Sequence, residues 1–333
     1  MPSGILPRGT IFWTVLALVG LFLPLVFGGL GFLGAFGLFT VYASANLMWS
    51  LVFSTGGIYS FATFAIVGAS GYLAAFLSVR HGLPWPAMLL SGIVAGTLLG
   101  LAVGIPAVRL RGVYFALLTF GLASLFGSYV TVTDALGGAQ GLYGADSFIP
   151  SSATGANTGA LVASYAGLLL LGAALIVHRW VDGGRLGLLL RTARESEPFA
   201  HALGIDVVRV RLALLAISSA VLGLVGAFYV CFYRGISPSI FDFNTLLLLL
   251  AMMVVGGLGS RRGALLGTAL LLFIDEYYLQ SGPARLIAVG ALMLLITLFT
   301  RRGLVGIPEQ LRTWVATSQA RRRSAVEIGT NTT

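Results

Sequence analysis

The side chains able to do chemistry in this sequence are few, and they gather in two kinds of place. One is the stretch from Arg179 to Arg209, RWVDGGRLGLLLRTARESEPFAHALGIDVVR, where Arg191, Arg194, Glu195 and Glu197 stand beside Phe199, Leu203 and Gly204. Fixed charge mixed with apolar side chains on a short segment suits docking against another surface. The other is a set of hydroxyls, Ser60, Thr63 and Thr119, set inside long apolar segments behind the pair Gly56-Gly57. Neutral hydroxyls at such depth either hydrogen-bond a passing uncharged or zwitterionic solute, or bond across packed helices at about 0.6 kcal/mol each. The residues alone leave both roles open. A second glycine pair, Gly256-Gly257, closes a later apolar segment.

The same inventory excludes several classes of protein. All 20 basic residues are arginine, so no phosphate-binding loop ending in Gly-Lys-Ser/Thr exists here, and any ATP hydrolysis belongs to another chain. Cys231 is the single cysteine, which rules out an internal disulfide and a multi-cysteine metal site. No catalytic cluster, metal site or cofactor is expected, and the chain does not read as an enzyme. The arginines are dispersed as pairs between apolar segments and form no aromatic-laced basic stripe, so the net charge of +9 does not indicate nucleic acid.

The elements that position these groups follow from composition. Of the 333 residues, 57% are hydrophobic and 9% charged, against roughly a quarter charged in soluble domains. Apolar runs recur at 11–29, 32–53, 58–79, 85–105, 113–132, 160–178, 211–233, 243–258, 263–279 and 284–300. Most have the length of about 20 residues that spans a bilayer. The expectation is an all-α integral membrane protein of about ten transmembrane helices, with eight if the short segments are demoted.

With the N-terminus cytoplasmic, every arginine except Arg80, Arg234 and Arg285 falls inside, as the positive-inside bias requires. The longest outer loop, 133–159, holds Asp134 and Asp146 and no arginine. Both termini are therefore expected in the cytoplasm. The stretch after Arg8 is read as a first span, since no small-residue cleavage site clearly follows it. The organisation expected is a transmembrane domain over 1–300, a cytoplasmic loop at 179–209 within it, and an arginine-rich cytoplasmic tail at 301–333.

Gly56-Gly57, expected to open the third span, and Gly256-Gly257, closing the eighth, mark broken or short spans, as transporters carry where backbone lines a polar path; close helix packing is the other reading. Acidic groups are scarce in the spans, with Asp275 and Glu276 near the outer end of the ninth. That scarcity disfavours an ion-coupled carrier.

Within the 179–209 loop, Ser196 is placed to cap a helix, Glu197 suits its positive end, Pro198 fits the first turn and Gly204 suits its stop. A two-turn helix is predicted, with Phe199, Ala202 and Leu203 on one face as an apolar knob flanked by Arg191, Arg194, Glu195 and Glu197. So short a helix needs a partner, either another protein or lipid headgroups.

Here the sequence resembles the permeases of branched-chain amino-acid ABC importers, the LivM/LivH type. Arg194-Glu195-Ser196-Glu197, then Ala200, Gly204 and Ile205, is similar to that family's Arg-Glu-x-Glu, Ala-Ala, Gly-Ile loop. RLRGVYFALLTF at 109–120, the block at 236–267 ending in Gly-Gly-Leu-Gly-Ser and a further glycine, and more loosely Asn46 to Tyr72 agree with it.

The resemblance implies an ABC importer permease fold in a bacterial inner membrane, forming half of the pore for branched-chain or hydrophobic amino acids. It also implies partners: a second permease chain, two ATP-binding subunits and a periplasmic solute-binding protein, besides membrane lipid. Ala62-Thr63 stands where the family has Gly-His, and Leu188 replaces a basic position. The first departure leaves urea, short amides or aromatic acids open as solutes. A carrier or channel without ATPases, and a membrane scaffold, are the competing classes.

Overall fold

The computed structural model describes residues 20–26, 28–110, 112–148, 156–277, 283–299 and 303–306. Most of the expected first span, part of the 133–159 loop, and the tail apart from 303–306 lie outside the described residues. After a helical stretch at 20–26, the elements are α1 (Leu30–Ser50), a π-helical turn (Leu51–Thr55), α2 (Ala62–His81), α3 (Trp85–Arg109) and α4 (Val113–Val132). There follow β1 (Leu142–Tyr143), α5 (Ala156–Gly183), α6 (Arg185–Glu195), α7 (Glu197–Ala202), α8 (Val207–Tyr233) and β2 (Gly235–Ile236). The last helices are α9 (Phe243–Gly256), α10 (Arg261–Tyr277) and α11 (Pro283–Phe299).

Six helices among the described residues are long and apolar enough to cross a membrane, Gly31–Thr55 through Val207–Tyr233. Helix is the form such segments take because hydrocarbon offers the backbone no hydrogen-bond partner but itself. The apolar side chains divide into two populations. Helix α8 is mostly buried, whereas α3 turns Leu90, Val94 and Leu98 outward, each about 60% exposed. In water that stripe would be an aggregation liability; in lipid it is the solvated face.

What holds α3 to α8 is the absence of side chains. Gly92, Gly96, Gly100 and Gly104 repeat every fourth residue along one face of α3. A β-carbon at Gly96 would stand 2.2 Å from the Ser219 carbonyl oxygen, and one at Gly223 would stand 2.0 Å from that of Gly92. The backbones therefore meet directly, which is how van der Waals attraction associates helices where the hydrophobic effect cannot. Gly226 brings α8 equally close to Val67 of α2.

The chain divides into two compact units, the first ending at Leu247 and the second beginning at Leu248. In the first, the end of the bundle opposite the arginine-rich loop is closed by pairing Leu142 with Ile236 and Tyr143 with Gly235 in a two-stranded antiparallel ladder. Met88, Val130, Ala227, Cys231 and Ile236 form the core beneath it. In the second, α9 and α10 meet through glycine: a β-carbon at Gly256 would stand 1.9 Å from the Gly263 carbonyl oxygen, and one at Gly267 2.0 Å from that of Met252.

The structure differs from the sequence expectation at two points. Residues 56–61 belong to no helix, so Gly56-Gly57 ends the first described span and does not open the next. A helix, α6, also occupies 185–195, where only the shorter helix after Ser196 was expected; its Gly187, Leu190 and Ala193 are buried.

Candidate functional site

The helix break is built from the π turn outward. The Gly56 amide donates to the Leu51 carbonyl at 3.2 Å, which widens the last turn of α1, and Gly57 then turns the chain at φ 63°. Positive φ costs an L side chain free energy, so glycine is the residue that makes this turn without strain. The non-helical segment 56–61 follows, and its end next to α2 is pinned from two sides. The Thr119 hydroxyl of α4 accepts from the Phe61 amide at 2.9 Å, and the Trp49 indole donates to the Ser60 carbonyl at 2.7 Å. The Ser60 hydroxyl accepts from the Ala62 amide at 3.1 Å, across the start of α2. Ser60, Thr63 and Thr119 are all buried. Ser60 and Thr119 thus use their hydroxyls on the chain's own backbone and shape the break.

At its other end the break rests on α6. Leu190 packs with Leu51, Val52, Ile58, Val181 and Leu214. The Arg194 guanidinium donates to the Ser54 carbonyl, and its stem lies over Gly57. Asp182, at the end of α5, accepts through one carboxylate oxygen from Thr55 Oγ1 at 2.9 Å and from Arg191 Nη2 at 2.5 Å. Arg191 also donates to the Asp182 carbonyl at 2.9 Å. Sequence reasoning placed Arg191 and Arg194 beside the apolar knob; the structure sends the Arg194 guanidinium to the helix break and the Arg191 guanidinium to Asp182.

Helix α7 begins as its residues predict, the Ser196 hydroxyl accepting from the Phe199 amide, and Gly204 follows it at φ 76°. Ala193, Ala200 and Val207, with Ile205 against them, form the small apolar seam that binds α6, α7 and the start of α8. Glu197 meets Arg211 of α8 at 3.6 Å with both side chains mostly buried, and Glu195 is exposed. Phe199 and Leu203 point away from this seam, 58% and 59% exposed, and Leu188 of α6 is exposed with them. Docking against an apolar partner is the chemistry this arrangement offers.

In the second unit, Gly257 has φ 112°, and a β-carbon at Gly303 would stand 2.5 Å from the Gly257 amide nitrogen. Gly256 and Gly257 are buried against Gly263 and Gly303. The structure therefore gives this glycine pair a close-packing role.

Sequence reasoning missed Asp182, Thr55, Ser54 and Trp49. The signal for Asp182 was present: a single carboxylate just past the apolar run 160–178, followed by Gly183-Gly184. Its partners are distant in sequence, and nothing in spacing identifies them.

Membrane-length helices packed through glycine, one of them broken over a charged hairpin, define a multispan membrane protein of the permease class. The chain belongs to the family described as branched-chain amino acid transport system, permease component, which it matches over residues 11–298. It is 28% identical over 283 residues to the high-affinity branched-chain amino acid transport system permease protein LivM of Salmonella typhimurium, and 27% identical over 282 residues to LivM of Escherichia coli. Each alignment covers 77% of this chain and 63% of the relative, so the chain spans less than two thirds of their length. A probable LivH permease of Methanocaldococcus jannaschii is 32% identical over 117 residues, 34% of this chain and 35% of that one. No solved structure matches.

Proposed function

We propose that this chain is a permease subunit of an ABC importer for branched-chain or other hydrophobic amino acids, forming half of the translocation pore in a bacterial inner membrane. The observation that carries the reading is the exposed pair Phe199 and Leu203 on a hairpin whose arginines are tied to the helix break. In this reading α7 docks on an ATP-binding subunit, and ATP-driven closure of two such subunits moves the hairpin and reorients spans around the path. A second permease chain completes the pore and a periplasmic binding protein delivers the solute.

The topology we propose has about ten spans with both termini cytoplasmic; the ten apolar runs of the sequence and the arginine distribution support it. Ser60, Thr63 and Thr119, with Gly56 and Gly57, are proposed to border the path, and the lack of charge among them suits a zwitterion with an apolar side chain.

Purification of the tagged chain from membranes tests this. Two ATP-binding subunits and a second permease chain are expected to co-purify, and ATP-dependent uptake of leucine-like solutes is expected when the complex and its binding protein are reconstituted. Purification as a single chain that moves solute along a gradient would overturn it. So would labelling of a cysteine introduced at 185–209 from outside intact cells.

A further inference from the structure

The proposed docking helices and the helix break are distant in sequence, yet one carboxylate joins them. Asp182 lies at the last turn of α5, three residues before α6 begins, and its Oδ1 is shared between Thr55 of the π turn and Arg191 of α6. Beside it Arg194 donates to the Ser54 carbonyl. The two arginines are three residues apart on one face of α6; Arg194 reaches the break directly and Arg191 through Asp182. Leu190, one residue before Arg191, packs into the core that holds Leu51 and Val52 of the same π turn.

A π turn is a helix segment whose hydrogen bonds are already displaced by one residue, and displaced turns are where helices bend. The segment beyond it, 56–61, is anchored at the end next to α2 by Thr119 and Trp49. It therefore has a fixed end and an end held by α6.

We infer that Asp182 is a positioning residue that links the docking hairpin to the helix break, so that displacement of α6 and α7 is delivered through Thr55 and Arg191 to segment 56–61, which carries Ser60 and leads into Thr63 at the start of α2. The inference rests on the proposed function, because the displacement is supplied by an ATP-binding partner. Apolar packing at Leu190 transmits compression; the shared carboxylate adds a bond that also transmits a pull, and it fixes the register between α6 and the π turn. Removing the bond leaves the outward face of α7, and hence docking, intact.

The test uses the whole importer reconstituted with its binding protein, and reads solute transported per ATP hydrolysed. Asp182→Asn is expected to retain the ATP-binding subunits and their hydrolysis while lowering that ratio by about tenfold, the size of a typical allosteric coupling. Thr55→Val, which removes one hydrogen bond and little volume, should lower the ratio in the same direction by less. The exchange of Asp182→Arg with Arg191→Asp restores an ion pair and should recover part of the ratio. An unchanged ratio in both single variants would overturn the link. Loss of the ATP-binding subunits from Asp182→Asn would also overturn it, since the carboxylate would then shape the docking face itself. If the unaltered chain retains no ATP-binding subunits, the proposed function fails first, and that outcome is read before any variant is made.

Discussion

The side chain of Arg194 crosses Gly57 so closely that a β-carbon at Gly57 would stand 2.9 Å from Arg194 Cγ. Two costs therefore meet in Gly57→Ala. An L residue at φ 63° is disfavoured by about 1 to 2 kcal/mol, and the added methyl displaces the guanidinium from the Ser54 carbonyl. The variant is expected to melt earlier in detergent and to lose uptake. Equal melting and equal uptake would show that Arg194 is not held at the break.

Gly96 and Gly172 offer a paired test of the helix packing. A β-carbon at Gly96 meets the Ser219 carbonyl oxygen at 2.2 Å, a backbone atom that cannot rotate away, whereas one at Gly172 has nothing within 4 Å. Gly96→Ala should destabilise the chain by about 1 to 3 kcal/mol, as overpacking does. Gly172→Ala should be neutral or stabilising, because alanine forms helix more readily than glycine by about 1 kcal/mol. Thermal unfolding of the two variants in one detergent decides it.

Thr119 separates a structural hydroxyl from a solute contact. Its oxygen accepts the Phe61 amide and donates to the Phe115 or Ala116 carbonyl. Thr119→Val leaves the buried amide unsatisfied at a cost of about 1 to 3 kcal/mol, and stability and uptake should fall together. Thr119→Ser should restore both. A change in the KM for uptake without a loss of stability would instead place the hydroxyl on the solute's path.

Phe199 and Leu203 are expected to matter only in the assembled importer. Both are exposed in the chain, so the double change to alanine should alter its own stability by no more than about 0.5 kcal/mol. Co-purification of ATP-binding subunits should be lost. Retention of those subunits at wild-type yield would exclude the pair as the docking contact.

Glu197→Arg acts on the inner side of the same hairpin. It sets a second cation beside Arg211, which Glu197 now meets at 3.6 Å with little solvent between them. Membrane insertion should be unaffected and transport abolished. Uptake at the normal ATP-dependent rate would remove the hairpin from the mechanism.

Much of the architecture was legible in the linear chain, because the bilayer imposes a one-dimensional rule: a segment must be apolar for about 20 residues to cross it. The expected segment 113–132 is the helix Val113–Val132 to the residue, and the start of α7 at Ser196 was readable from local capping chemistry alone. Capping and hydropathy act within a few residues of sequence, so no tertiary information is needed to see them.

The break was legible only in part. Gly56-Gly57 announced an interruption, yet whether it opened one span or ended another depended on the Leu51 carbonyl that Gly56 reaches and on the Arg194 stem that crosses Gly57. Helix α6 was obscured because Leu186, Leu190 and Ala193 form a helical stripe inside a run that also contains the exposed Leu188. Its apolar face is recognisable once the Leu51, Val52 and Val181 cluster that receives it is in place.

By itself the sequence determined that the chain lives in lipid and where most of its long apolar helices run. The tertiary structure decided which faces those helices share and which charges meet. Thr55 and Asp182 are 127 residues apart, and Asp182 and Arg191 nine, yet one carboxylate oxygen serves both. Hydropathy reports the cost of a segment against its solvent, while a shared hydrogen bond exists only where packing has set its partners within about 3 Å.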